Sequence, residues 1–190
     1  MFKMLTRFLP AFVIMAAMSA PSEIIFKPIE YQQADAVLEG LSVYDDALQG
    51  KRPALLVVHQ WKGWGDYEKK RAEMLARLGY NVFVADIYGK GVRPQTPQAA
   101  AAEAGKYKND RALLRARIRA ALEVLTNHEL TDPNRVAAIG YCFGGTTVLE
   151  LARSGAQITV RGQFSWRFEH DHSERRQKYQ SQGPGVAWSR

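Results

Sequence analysis

The residues best equipped for chemistry stand in the segment Gly140-Tyr141-Cys142-Phe143-Gly144-Gly145. Gly-x-Cys-x-Gly between a predicted strand and a predicted helix is the pattern of a nucleophile elbow, with cysteine where serine is commoner. Gly140 and Gly144 fall at the two positions where the sharp turn brings backbone against backbone, so that a side chain would not fit. The turn would leave Cys142 exposed and strained, with its sulfur near a helix N-terminus whose free N–H groups and dipole favour a thiolate. A thiolate that attacks a carbonyl also needs N–H donors facing the oxygen that becomes negative. The backbone N–H of Phe143 is one candidate, and a second is expected from the loop after the strand over 54–58, at Trp61. The competing reading of a lone cysteine is a small buried hydrophobe. A strand before it, a helix after it and two βα elements upstream favour the elbow.

Other titratable groups fit catalysis less well. His59 follows an apolar strand beside the expected oxyanion loop and could pass for a catalytic base, but that position, with the family resemblance given below, predicts a structural hydrogen-bonding role; His128 lies in a polar turn beyond a helix end, at the surface. His170-Asp171-His172 looks like a metal motif, yet neighbours in an extended chain point to opposite sides and no third ligand stands nearby. No metal site is expected.

The elements that must position Cys142 follow from hydrophobic spacing. Residues 24–31 and 37–44 partly alternate apolar and polar, as half-buried strands of an antiparallel pair do. Ala54-Leu55-Leu56-Val57-Val58, Asn81-Val82-Phe83-Val84-Ala85 and Arg135-Val136-Ala137-Ala138-Ile139-Gly140 are near-continuous apolar runs, expected of strands buried on both faces. Helical spacing runs from Tyr67 to Leu78, ending at Gly79, and again from Asp110 to Thr126, and a helix follows the elbow to Arg153. A Gly- and Pro-rich loop over 89–97 and an Ala-rich stretch separate the second and third buried strands, and Asp132-Pro133-Asn134 is turn chemistry. The order predicts a doubly wound α/β sheet in three layers, incomplete at its C-terminal side, with function at the carboxyl ends of the strands.

The chain has 190 residues, one cysteine and a formal net charge of +7. Such a length suits one domain with a proper core, and a lone cysteine allows no internal disulfide. Much of the charge lies at Lys3, Arg7 and residues 158–190. The body is nearly neutral and has no stripe of basic and aromatic residues, which argues against a nucleic-acid partner. Lys3 and Arg7, the apolar stretch from Phe8 to Met18 and the small residues Ser19 and Ala20 before Pro21 read as an export signal over residues 1–20. The stretch is too short for a stable membrane anchor. A periplasmic or secreted protein is therefore expected.

Three segments in order resemble the dienelactone hydrolase family of the α/β-hydrolase superfamily over roughly residues 23–157. They are Val57-Val58-His59-Gln60-Trp61 leading to Gly65-Asp66-Tyr67, Ala85-Asp86-Ile87-Tyr88-Gly89, and the elbow itself. The resemblance implies hydrolysis of a small ester or lactone through an acyl-enzyme and a Cys-His-Asp triad, with no metal or organic cofactor. It also implies an arginine in the loop after Asp86-Ile87-Tyr88 that contacts a substrate carboxylate. Arg93 fits that position better than Lys90. Gln60 stands where well-known members have a glutamate facing the resting thiol. An amide can share a hydrogen bond there but cannot take the proton.

After Gln157 the pattern changes, and residues 161–190 show neither a buried strand nor an amphipathic helix, so the triad acid and histidine cannot be assigned. A one-nucleotide shift of the reading frame accounts for this. Trp has the single codon TGG, so reading one nucleotide later at Trp166 gives glycine. One back-translation of 163–169 then reads Ser-Phe-His-Gly-Gly-Leu-Asn, similar to the next strand end in the family. Three alternatives follow: a non-catalytic fragment or binding protein that keeps the elbow, an intact enzyme using His170 or His172 as base, and a flavodoxin-like module. The last lacks a phosphate-binding Gly-rich loop in Gln60 to Asp66.

Overall fold

The computed structural model describes residues 23–163. The export signal expected over 1–20, and most of the atypical tail with His170 and His172, lie outside the described residues. Six strands form one sheet in the order β1-β2-β4-β3-β5-β6. β1 (Ile24–Gln33) and β2 (Ala36–Asp45) make the antiparallel hairpin that alternation predicts. Its turn is tighter than expected, because Ala34 adopts a positive φ of 50°. β2 lies antiparallel to β4 (Asn81–Ala85), and β4, β3 (Arg52–Val58), β5 (Thr131–Tyr141) and β6 (Thr159–Gln163) run parallel.

The apolar runs explain the layers. In β3, Ala54, Leu56 and Val58 face one core with Phe83, Ala85 and Ala138, while Leu55 and Val57 face the other with Val82 and Val84. The period of two sends neighbours to opposite faces, so a strand covered on both sides must be apolar throughout. α1 (Asp66–Arg77) covers the second face through Ala72 and Ala76. α2 (Pro97–Asn109), α3 (Arg111–Thr126) and α4 (Phe143–Arg153) cover the first through Ala104, Tyr107, Leu114, Ile118, Leu125, Val148 and Leu151. This is the expected three-layer α/β sheet.

Three differences from the sequence-based expectation have physical causes. The Ala-rich stretch is itself a helix, α2, started by Thr96, whose hydroxyl accepts from Ala99 N at 3.2 Å, and by Pro97 in the first turn. Asp132-Pro133-Asn134 does make a turn, with Asn134 N donating to Asp132 Oδ1 at 3.0 Å. That turn sits inside β5 as an irregularity, because Thr131 already pairs with Arg52 before Val136 resumes against Ala54. Finally, the sheet continues past Gln157, for Thr159–Gln163 pairs with Ala137–Tyr141. Strand pairing is made by backbone N–H and C=O groups, so it can persist where the side-chain pattern has lapsed.

From β3 the chain crosses to β4 on one side and later to β5 on the other. Such a reversal opens a crevice beyond the carboxyl ends of the strands. The loops after β3 and β4 and the turn after β5 meet there.

Candidate active site

The turn after β5 has the geometry of an elbow. Cys142 is exposed, has φ 54° and ψ −115°, and is the N-cap of α4. A non-glycine residue held there stores strain of about 1–3 kcal/mol, which the surroundings must offset. They do so by close packing. A Cβ at Gly140 would lie 2.3 Å from the carbonyl carbon and oxygen of Gly144, and one at Gly144 would lie 2.4 Å from Val58 O. Both glycines are therefore steric necessities, as their positions in the motif predict. α4 then starts with the first-turn N–H groups that have no intrahelical acceptor. Gly145 N folds back to Cys142 O at 3.1 Å, and the Phe143 N–H stands immediately after Cys142.

The Phe143 side chain turns inward and fixes the elbow from below. It is buried, stacks on His59 with ring centroids 5.8 Å apart, and touches Tyr88 at 5.3 Å and Tyr107 at 6.4 Å. Farther along α4, the buried Glu150 accepts from Arg115 of α3 at 2.7 Å and from Arg153 at 2.6 Å. Burial pushes the Glu150 carboxyl up, but the hydrogen bonds from Arg115 and Arg153 outweigh it and hold the group below the ordinary carboxylate range.

His59 has the structural role its position predicts. It is completely buried, its Nδ1 lies 2.5 Å from Gln60 O, and its Nε2 accepts from Ile87 N at 3.2 Å. These partners require a neutral ring protonated on Nδ1. Burial lowers its pKa to about 4, against the smaller raising effects of Gln60 O and Asp86. His128 precedes β5 and packs against Tyr44, so it sits at the amino ends of the parallel strands, the opposite end from Cys142. Neither described histidine can serve Cys142 as a base.

Gln60, Trp61 and Arg93 come together. With Trp64, Tyr67 and Pro94 they line a depression of about 610 Å³ between the loop after β3 and the loop after β4. The Arg93 guanidinium lies over the Trp64 ring at 4.8 Å and 3.7 Å from the buried Asp86 carboxylate. Lys90, the weaker candidate for the same role, is exposed and pairs with Glu30. Cys142 is not among the lining residues. The elbow and the depression are instead joined through Tyr88, which packs on Phe143 and donates its hydroxyl to Trp61 O at 3.0 Å. The Tyr88 phenol is pushed well above its ordinary range, first by burial and then by negative charge at Glu103, Tyr107 and Cys142.

Sequence reasoning missed three residues that shape this site. Asp86, completely buried, accepts from Glu39 N, Tyr88 N and Gly89 N at 3.1–3.2 Å and so folds the loop after β4. Tyr31 of the hairpin donates its hydroxyl to Asp86 O at 2.7 Å. Glu68, buried in the first turn of α1, accepts from Gly65 N at 3.0 Å and Gln60 N at 3.4 Å. A glutamate at the third helical position is a recognised N-terminal signal and could have pointed to Glu68. Among the described residues no cluster of His, Cys, Asp and Glu could hold a metal ion, and no helix is long and apolar enough to cross a membrane.

A doubly wound sheet in this strand order, ending in a strand–elbow–helix, defines the α/β-hydrolase class. The family model described as the dienelactone hydrolase family matches residues 38–180, and the chain belongs to that family. The match runs beyond the last described residue and beyond Gln157. A dienelactone hydrolase-like promiscuous phosphotriesterase from metagenomic libraries is 35% identical, with a TM-score of 0.70 over 73% of this chain and 58% of its own. The solved structure m3DLH is 33% identical, with a TM-score of 0.69 over 74% of this chain and 67% of its own. A Bradyrhizobium protein described as a probable 2-oxo-3-(5-oxofuran-2-ylidene)propanoate lactonase is 31% identical over 108 residues, 56% of this chain. This chain covers only 43% of that lactonase's length.

Proposed function

We propose that this chain carries the nucleophile-bearing part of a hydrolase that cleaves small esters or lactones through Cys142. The observation that carries the reading is the exposed Cys142 at φ 54° between β5 and α4, wedged there by two glycines that admit no side chain. The Cys142 thiolate adds to the carbonyl carbon, and the carbonyl oxygen takes the negative charge and accepts from the N–H groups of Phe143 and Trp61. Collapse of this intermediate breaks the ester bond, releases the alkoxide, which takes up a proton, and leaves a thioester on Cys142. Water then attacks the thioester, releasing the acid and restoring the thiol. Gln60 and Arg93, at the wall of the adjoining depression, orient the substrate, with Arg93 suited to a carboxylate. Kinship with a lactonase and with a promiscuous phosphotriesterase supports an electrophilic ester-like centre as the target.

The second half of this cycle needs a base to activate water. Among the described residues His59 is committed to two backbone partners and His128 sits at the far end of the strands. This favours, as a second reading, a chain that binds ligand at the elbow without turning it over. Exposure to p-nitrophenyl acetate separates the two. The first reading expects nitrophenolate release that depends on Cys142, an acetyl group on Cys142 by peptide mass spectrometry, and neither in Cys142→Ala. Nitrophenolate release that is equal in the parent and in Cys142→Ala would sink the nucleophile.

A further inference from the structure

We infer that Glu68, His59 and Tyr88 are positioning residues that aim the Trp61 N–H at the carbonyl oxygen. The inference deepens the functional reading above and rests on it. The loop after β3 has little regular structure of its own, yet three consecutive peptides in it are gripped, the middle one carrying the Trp61 N–H. Gln60 N donates to the buried Glu68, Gln60 O accepts from the His59 ring, and Trp61 O accepts from the Tyr88 hydroxyl. Gln60 C=O and Trp61 N–H belong to one peptide plane, and in a trans peptide they point in opposite directions. No described peptide is cis. His59 is completely buried and its ring meets the Gln60 carbonyl, so the Trp61 N–H points away from that buried ring.

Each grip is secured from elsewhere in the fold. The His59 ring keeps its proton on Nδ1 because Nε2 is occupied by the Ile87 N–H. The remaining oxygen of Glu68 binds Gly65 N, so one carboxylate closes both ends of the loop from Gln60 to Gly65. Tyr107 in turn donates to Tyr88 O at 3.0 Å and stacks on the Tyr88 ring. A carboxylate can accept from two N–H groups at once, whereas an amide in its place turns an NH2 toward one of them. Burying a carboxylate costs free energy, so its retention at this turn needs the two donors it receives. With the first donor set by the elbow, a two-donor site depends on this loop keeping a single orientation.

The experiment uses the full chain and two nearly isosteric variants, Glu68→Gln and Tyr88→Phe, and compares two reactions of the same thiol. Acetylation of Cys142 by p-nitrophenyl acetate builds negative charge on the ester oxygen and needs the donors. Alkylation by iodoacetamide displaces iodide and needs none. Loss of one oxyanion donor slows acyl transfer by about 100- to 1,000-fold, so its misalignment should slow acetylation roughly tenfold or more. Alkylation should change far less, because neither variant alters the thiol and Tyr88→Phe keeps the ring that packs on Phe143. Amide hydrogen exchange over 60–65, read without ester, should speed up in both variants. Unchanged acetylation in the variants, an equal fall in both reactions, or unchanged exchange would each overturn the assignment. If Cys142 of the parent chain is alkylated but never acetylated, the functional reading fails, and the exchange result alone then decides whether Glu68 and Tyr88 hold the loop.

Discussion

The turn after β5 and the loop after β3 face each other across the crevice, and they are held by opposite means. The elbow is set by what is missing. Two glycines let the strand, the helix and the end of β3 approach within distances that exclude a Cβ, and the strain at Cys142 is enforced by backbone packed on backbone. The loop is set by what arrives from elsewhere: a carboxylate from α1, a phenol from beyond β4, a buried imidazole and the Arg93 side chain. The proposed nucleophile must be rigid in one geometry, and local sterics give that with few partners. The proposed donor, which must match it across a gap, needs several anchors, and the fold collects them from distant segments.

The same small change should therefore have unequal effects in the two places. Gly144→Ala puts a methyl group 2.4 Å from Val58 O and 2.7 Å from His59 O, both backbone atoms that cannot swing aside. A loss of about 3 kcal/mol or more, or failure to fold, is expected from overpacking of this kind. Urea unfolding reads it, and a loss below about 1 kcal/mol would mean the elbow is looser than its packing implies.

Acid should act next, through the group the two regions share. His59 is neutral in the fold with a pKa of about 4, below its ordinary value of 6.5. Between those values the unfolded chain binds a proton that the folded chain refuses, so stability is full above about pH 6.5 and falls as the pH drops toward 4. The loss from this one group amounts to roughly 3 kcal/mol over that window. Urea midpoints at pH 7, 5.5 and 4.5 test it, and a His59→Gln chain should show a shallower decline. Equal slopes in the two proteins would show that His59 is not the acid-sensitive link.

The smallest effect belongs to the loop. Gly63 has φ +83°, and a Cβ there would meet Arg93 Cδ at 2.9 Å and Val92 O at 3.0 Å. The nearest atom is part of a flexible side chain, so Gly63→Ala should cost about 1–2 kcal/mol, mainly from the left-handed backbone. Displacing Arg93 should also weaken binding of a carboxylate-bearing ester more than that of a neutral one. A Gly63→Ala loss as large as that of Gly144→Ala would erase the distinction between the two regions.

What the sequence by itself determined follows from features that act over short distances. Apolar runs such as Ala54 to Val58 require cover on both faces whatever surrounds them, and this predicts a parallel, three-layer sheet. Gly-x-Cys-x-Gly demands a sharp turn because its glycines are needed within that turn, so the turn at Cys142 and the close packing of Gly140 and Gly144 were legible in the sequence. The position of His59 after a buried strand, together with the family resemblance, predicted hydrogen bonding over catalysis. Only the tertiary structure decided how the loops after β3 and β4 are held. Gln60 to Glu68 spans eight positions, His59 to Ile87 spans 28 and Tyr31 to Asp86 spans 55, and no local pattern records such pairings. It also decided that Arg93, and not Lys90, lines the depression, and that β6 pairs through its backbone where the side-chain pattern gives no signal. Steric exclusion and hydrophobic period are written in neighbouring residues, whereas the direction of a hydrogen-bonded peptide is set by whichever distant groups the fold brings within 3 Å of it.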